Sequence, residues 1–250
     1  MMNYLRSENY RILRKKGIFI TTAIGFFLIT AAAVVLNISG QSVHHFPYSN
    51  NSFFYSNVLG GVFLLLTVAF LFNLALTNHY EYNQIKQSIS FGISRLTIFW
   101  SKLIISCMYF LAVCVLGLLL VIGLGETLLE SESGVAIEFL LASINMIPII
   151  LSGFTLIHSL RMVKVGEIYI IFIVLFLYVF SGQLLHLFLR NIQGLSELYK
   201  YAPDSLLTDN LFMFMNGEVQ LDIRFWIVGF IIAFVSLLIG SRTFKKQSIH

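Results

Sequence analysis

The chain has 250 residues, of which 58% are hydrophobic and 11% are charged, and its mean hydropathy is +0.85. This composition excludes an ordinary water-soluble enzyme and a disordered chain, and two cysteines and three prolines exclude a disulfide scaffold and a collagen-like chain. A polytopic membrane protein remains. Its net charge of +4 is then explained by basic residues that collect on one side of the membrane, and a nucleic-acid partner is not needed to explain it.

Six apolar stretches approach the roughly 20 residues that a helix needs to cross about 30 Å of hydrocarbon. They predict a single all-α integral membrane domain, 1–250, with spans at 18–38, 58–77, 103–124, 139–160, 168–189 and 225–240. The sixth stretch has only 16 residues. We therefore expect Arg224 to snorkel there, or the bilayer to thin locally.

The distribution of charge predicts the orientation of these spans. With the N-terminus in the cytoplasm, 13 of the 16 Lys and Arg residues fall on the inner side and nine of the 12 acidic residues fall outside. The first stretch has 21 residues and no A-x-A cleavage site, which favours a retained anchor over a signal peptide. We therefore expect six spans with both termini in the cytoplasm.

Two segments outside the spans precede the second span. Residues 1–17 fit either a helix in the inner membrane interface, with Leu5, Ile12 and Leu13 on one face, or a simple basic flank. The loop 39–57 is expected to be irregular, and its His44 and His45 have no third ligand at metal spacing.

The outer segment 190–224 is too polar to span the membrane. Its pattern predicts a helix on the outer surface that starts at Pro203 and ends near Asn216 and Gly217. The apolar side of that helix would carry Leu206, Leu207, Leu211, Phe214 and Met215.

Several kinds of chemistry are missing from the sequence. No G-x-x-x-x-G-K-[ST] loop is present, so any ATP would be hydrolysed by a partner chain and no cofactor of its own is expected. The 28 Lys, Arg, Asp and Glu residues are predicted to lie in loops or at span edges, which argues against an ion-coupled carrier. The sequence contains neither an H-E-x-x-H motif nor a nucleophile paired with a base, as an intramembrane protease would need. Cys107 and Cys114 are interpreted as packing residues.

The cytoplasmic segment 79–97 follows the second span and can form a short amphipathic helix. Tyr82, Ile85 and Ile89 would share its apolar side, while Glu81 and Lys86 would be exposed. Gly92 is expected to end the helix. Farther along, Ser94, Arg95 and Lys102 would lie at the start of the third span, where the two long basic side chains can reach lipid headgroups.

This segment resembles the permease subunits of ABC-2-type transporters. In bacterial members it carries Glu, then Gly-x-Ser-Arg, then a Ser-Lys pair, and the matching positions here are Glu81, Gly92, Ser94, Arg95, Ser101 and Lys102. The chain departs from the pattern at Lys86, where many members carry a small residue, and at Phe91, near which Pro is common. The resemblance implies a type V exporter-like membrane domain in a bacterial plasma membrane.

The same resemblance implies two partners. Segment 79–97 would be a coupling helix seated in a groove of a cytosolic ATP-binding subunit, the alternative being a helix that rests on headgroups. A second permease subunit, identical or different, would complete the transport path.

The fourth span carries the most polar patch in the membrane. Asn145, Pro148 and Ser152 can line a substrate path, or they can lock helices together by hydrogen bonds. Cargo classes in the family include peptides, as in antimicrobial peptide export or immunity, and the acidic outer loop with Glu126, Glu130, Glu132 and Glu138 can attract a cationic peptide. A non-transporting immunity or sensor protein that binds a peptide is the alternative function.

Overall fold

The computed structural model describes residues 2–42, 46–76, 79–192 and 195–247, and every regular element in these ranges is helical. Five helices are long and apolar enough to cross a membrane, and a bent pair of shorter helices makes a sixth span if it is counted as one. The prediction of an all-α, multi-span membrane protein is confirmed. The helices are α1 (Met2–Leu13), α2 (Lys16–Ser42), α3 (Asn51–Gly60), α4 (Val62–Leu76), α5 (His79–Ser90), α6 (Arg95–Leu128), α7 (Val135–Met162), α8 (Glu167–Leu175), α9 (Ser181–Leu189), α10 (Pro203–Met215) and α11 (Ile223–Lys246).

The expectation of an irregular loop over 39–57 is wrong at both ends of that range, whereas residues 46–49 lie outside any helix, as expected. Helix α2 continues to Ser42, and α3 already begins at Asn51, where the side chain of Asn50 caps it by accepting a hydrogen bond from the Phe53 amide at 3.0 Å. His44 and His45 lie outside the described residues. The polar residues that suggested a loop are thus a helix cap and its first turn.

The stretch predicted as the second span is a bent pair of helices. Helix α3 stops at Gly60 and α4 starts at Val62, and the axes of Asn51–Gly60 and Leu64–Leu74 meet at 48°. The Gly61 amide donates to the carbonyl oxygens of Asn57 and Val58, which ends α3. The break thus falls inside the predicted stretch 58–77, and helical structure begins before that stretch, at Asn51.

The sixth span is longer than the sequence suggested. Helix α11 has 24 residues, which corresponds to about 36 Å, so neither bilayer thinning nor snorkelling of Arg224 is needed. Arg224 instead pairs with Asp222, with 2.6 Å between nitrogen and carboxylate oxygen. The predicted stretch was shorter than α11 because the polar residues at both ends of the helix were not counted in the apolar stretch.

Helices α7 and α11 pack closely from Pro148 to Ser159 of α7 and from Gly229 to Gly240 of α11. Gly229 lies against Pro148, the Ser236 hydroxyl is 3.4 Å from that of Thr155, and Gly240 lies against Ser159. All three pairs are separated by the same 81 residues in sequence, so the two helices run in the same direction in constant register. Small side chains at these contacts allow the backbones to approach.

The helices form a bundle with two chemically different ends. The basic end is the surface made of α1, α5 and the last turns of α7 and α11. An apolar cluster there contains Tyr4, Ile85, Ile98, Phe99, Met162 and Phe244. The acidic end carries Glu126, Glu130 and Glu132 together with α10, which is packed between α7 and α9.

Candidate functional site

Helix α5, the candidate coupling helix, is attached to the basic end by its apolar face. Ile85 is 4% exposed and lies in the apolar cluster of that end, and Ile89 is half-buried against the same cluster. Asn83 and Gln87 are exposed on other sides of the helix. The side chains of Glu81 and Tyr82 lie outside the described part of the structure. Ile85 and Ile89 therefore confirm the predicted apolar side, whereas Lys86, predicted to be exposed, is half-buried.

Gly92 ends the α5 segment as predicted. Its φ is +83°, a conformation that glycine adopts without strain. The Gly92 amide donates to the Ile89 carbonyl at 2.9 Å, and the Ile93 amide donates to the Ser88 carbonyl at 3.1 Å. This pattern of two closing bonds is a Schellman-type helix end, and it fixes the direction of the chain as it leaves α5.

The next residues connect α5 to α6 and α11. Ser94 caps α6, accepting a hydrogen bond from the Thr97 amide at 3.1 Å. Arg95 donates to the carbonyl oxygen of Lys245 at 3.0 Å and also to that of Gln247. Arg95 thus binds the C-terminal end of α11, where carbonyls without helical partners attract a cation.

The sequence predicts that Lys102, at the start of a span, reaches lipid headgroups. In the structure it does not. Its side chain is 0% exposed, and its Nζ atom is 3.1 Å from a carboxylate oxygen of Glu8, which is 1% exposed. Arg11 binds the other oxygen of the same carboxylate at 2.5 Å. The correction has a clear cause: α1 covers this side of α6 and brings an acid against the lysine.

The Glu8 pair holds α1 in place between α5 and α6. Tyr4, Glu8 and Ile12 are spaced by four residues and are all buried, whereas the predicted face residue Leu13 is exposed. Burial and the nearby Glu8 carboxylate raise the pKa of Tyr4. Burial and the positive charges of Lys102 and Arg11 lower the pKa of Lys15 to about 8. Helix α1 is therefore a packed element of the basic end.

The three candidate path residues of α7 are all buried in contacts within the chain. Asn145 donates to Asn210 Oδ1 at 3.1 Å and to the Gln220 carbonyl at 2.8 Å, and it accepts from the Asp222 amide at 3.2 Å. Ser152 is 2.7 Å from the Tyr178 hydroxyl. Together with Pro148 against Gly229, these contacts favour helix locking over a substrate path.

A buried histidine in α7 was missed by the sequence analysis. His158 Nδ1 is 3.0 Å from Asn73 Oδ1, and because Asn73 Nδ2 donates to the Ala69 carbonyl at 2.9 Å, the histidine nitrogen is the donor. The imidazole ring also packs edge-on to Phe99 with centroids 5.1 Å apart. The sequence signal that could have indicated this contact is the position of a polar residue, His158, inside the fourth apolar stretch.

Helix α10 is held at the acidic end by a carboxylate. Asp204 Oδ1 accepts from the Ser181 hydroxyl at 2.7 Å and from the Gly182 amide at 2.6 Å. These groups follow a π-helical turn, Phe176–Phe180, that joins α8 to α9. Leu206, Asn210 and Phe214 of α10 are buried, so the predicted outer helix exists but packs into the bundle.

The carboxylates of the acidic end accept hydrogen bonds from neutral groups of the same chain, which stabilise their charged form. Glu126 accepts from the Tyr55 hydroxyl and from Asn51 Nδ2, each at 2.9 Å, and Glu132 accepts from Asn50 Nδ2 at 2.9 Å. Glu130 pairs through its backbone with residues beside α3. This end therefore ties α3 to α6.

Comparison with known proteins identifies no relative. No protein-family model, no curated protein and no solved structure matches the chain.

Proposed function

We propose that the chain is the membrane-spanning permease subunit of an ATP-driven exporter of the ABC-2 type. It crosses a bacterial plasma membrane six times with both termini in the cytoplasm, and a separate ATP-binding subunit supplies the energy. A second permease subunit completes the path. The cargo is a peptide or another amphiphilic molecule.

The observation that carries the proposal is the placement of α5. Its buried Ile85 belongs to one apolar cluster with residues of α6, α7 and α11, while Asn83 and Gln87 on its other sides are exposed. A short helix attached in this way transmits a push on its outer side to three spans at once, because packed helices move as rigid bodies.

The connections around α5 support the same mechanism. The hydrogen-bonded turn at Gly92 and the Ser94 cap join α5 to α6 without a flexible linker, and Arg95 joins this turn to the end of α11. Movement of α5 toward or away from the bundle would therefore tilt α6 and α11 together. The sequence has no phosphate-binding loop of its own, so the movement must be driven by another chain.

The test is whether a cytosolic ATPase binds through α5. The complex is purified in mild detergent after co-expression with a candidate ATP-binding subunit, chosen by searching the genes next to this one, and Gly92→Val is compared with Gly123→Val. A side chain at Gly92 is strained at its positive φ, whereas a Cβ at Gly123 has nothing within 4 Å. We expect the ATPase to be lost only from Gly92→Val. Equal retention of the ATPase by both variants, or no ATPase with the native chain, would contradict the proposal.

A non-transporting immunity or sensor protein is the second candidate, and the acidic end favours it. Glu130, Glu132 and Ser131 are exposed there, where a cationic peptide can approach. This function predicts that cells expressing the chain stay protected from such a peptide when the partner ATPase carries an inactive nucleotide site. Loss of protection under those conditions favours export.

A further inference from the structure

The outer side of α1 is uncovered at the basic end. Arg6, Tyr10 and Arg14 are exposed there, at a spacing of four residues that puts them on one side of the helix. Leu13 is 51% exposed, and Lys16, at the start of α2, is exposed as well. The Arg14 guanidinium lies 4.2 Å from the centre of the Tyr10 ring. This surface therefore combines positive charge with exposed apolar groups, and we call Tyr10, Leu13, Arg14 and Lys16 the α1–α2 surface.

The contacts of α1 place this surface beside the beginning of the α6 span. Glu8 binds Lys102, and Asn9 accepts a hydrogen bond from the Tyr109 hydroxyl at 2.7 Å. The apolar run of α6 starts at Leu103, so α1 lies level with the first two turns of that run. Side chains that are exposed where a span enters the hydrocarbon meet lipid headgroups.

Helix α2 continues from this surface as a span with a wide lipid-facing side. It runs beside α6 in the same direction, since Phe26 lies against Gly117 and Asn37 donates to the Leu128 carbonyl at 2.5 Å, both pairs being 91 residues apart. Apolar side chains are exposed over about half of its circumference at 100° per residue, namely Phe19, Ile20, Ile24, Phe27 and Leu28. Acyl chains that cover this side of α2 bring their own headgroups to the α1–α2 surface.

The groups of the α1–α2 surface suit a phosphate headgroup. In the described part of the chain neither Arg14 nor Lys16 pairs with a carboxylate, so both can bind an anion. A guanidinium forms two parallel bonds with phosphate oxygens, and an ammonium adds a point charge. Tyr10 suits the same depth, because tyrosine joins an apolar ring to a polar hydroxyl, and Leu13 can contact the first methylenes of an acyl chain.

We propose that the α1–α2 surface binds an anionic phospholipid in the leaflet at the basic end. Arg14 and Lys16 hold the phosphate, while Tyr10 and Leu13 lie beside the glycerol and the first acyl carbons. An anionic headgroup binds more tightly than a zwitterionic one, because the two cations repel the ammonium of the latter. The site does not depend on the proposed function, since it needs neither an ATPase nor a cargo.

Native mass spectrometry of the purified chain measures the binding of lipid. The chain in mild detergent is titrated with phosphatidylglycerol or with phosphatidylcholine of the same acyl chains. We expect phosphatidylglycerol to bind more tightly, and Arg14→Gln with Lys16→Gln to weaken it at least about tenfold, at roughly fivefold for each charge. The matched control, Lys245→Gln with Lys246→Gln, removes the same charge from exposed residues at the end of α11. Equal binding of the two lipids, or an equal loss in the control, would overturn the site.

Two further measurements identify the occupant in the native chain. The photo-reactive residue p-benzoylphenylalanine at position 13 should form a lipid adduct when it is irradiated in the membrane. A cross-link to another protein chain there, or none to lipid, would refute the assignment. Inorganic phosphate in excess should leave bound phosphatidylglycerol in place, because it lacks the acyl chains that α2 and Leu13 contact. Displacement by inorganic phosphate would show a site for the free anion and would overturn the lipid assignment.

Discussion

Gly229 of α11 and Pro148 of α7 are in direct backbone contact, since a Cβ atom at Gly229 would lie 2.5 Å from the Pro148 carbonyl oxygen. Backbone cannot move aside as a flexible side chain can. Gly229→Ala should therefore separate the two helices and lower stability by about 1–3 kcal/mol, as overpacked cores do. Thermal unfolding in detergent measures the change. The matched control is Gly25→Ala on α2, where a Cβ has nothing within 4 Å, and an equal loss there would refute the packing argument.

The buried amide of Asn145 should contribute to stability. Asn145→Leu leaves Asn210 Oδ1, the Gln220 carbonyl and the Asp222 amide without a partner, which should cost about 1–3 kcal/mol. Unfolding in a denaturing detergent titration gives the value, with Ser143→Ala on the same helix as the control. A stable Asn145→Leu protein with altered cargo preference would instead indicate a path residue.

The pair of Glu8 and Lys102 should show strong coupling. Lys102→Met leaves the buried Glu8 carboxylate without one of its cations and should cost about 3–5 kcal/mol, whereas the double variant Glu8→Leu and Lys102→Met should cost less than the two single changes together. A double-mutant cycle on unfolding measures this. Strict additivity would show that the two charges do not stabilise each other.

Lys15 should titrate near pH 8. Its pKa is about 8 in the folded chain against an ordinary value of 10.5, so the unfolded chain binds more protons between these values. The charged amine thus opposes folding below pH 8, and stability rises as the pH increases through this window. Acylation of Lys15 measured by mass spectrometry should have its midpoint near pH 8 in the folded protein and near 10.5 after denaturation. A midpoint that denaturation leaves unmoved would contradict the burial of the amine.

Asp204 should hold α10 against the fifth span. Asp204→Ala removes the acceptor of the Gly182 amide, while the Ser181 hydroxyl keeps the Leu177 carbonyl as an acceptor. The loss of charge-assisted bonds to α10 should weaken docking by about 1.5–3 kcal/mol. Hydrogen exchange of α10 amides should then accelerate, while exchange in α5 stays constant. Glu197→Ala, which removes an exposed carboxylate from the same segment, is the control.

The sequence predicted the features that depend on local pattern. The length of the apolar stretches indicated the spans. The ability of glycine to adopt a positive φ indicated that α5 ends at Gly92. Both are properties of short segments. Ile85 and Ile89 likewise followed from helical spacing. These features can be predicted without knowing which helices are neighbours in the folded chain.

What the sequence could not indicate are contacts between distant segments. Lys102 was expected at headgroups because its partner Glu8 is 94 residues away. For Asn145 the sequence could not decide between lining a path and locking helices, because its partners lie on α10 and in the loop before α11. His158 was overlooked because its buried partner, Asn73, lies on a distant helix. Each outcome depends on tertiary pairing, which span patterns do not encode.

The unequal packing of the helices limits how the bundle can deform. Because α7 and α11 contact each other in constant register, they can only travel as one body. Helix α2, by contrast, buries only Ile18 and Ala33 among its residues. If the chain lines a transport path, as we propose, that path would therefore widen on the side of α2, while α7 and α11 move as one unit.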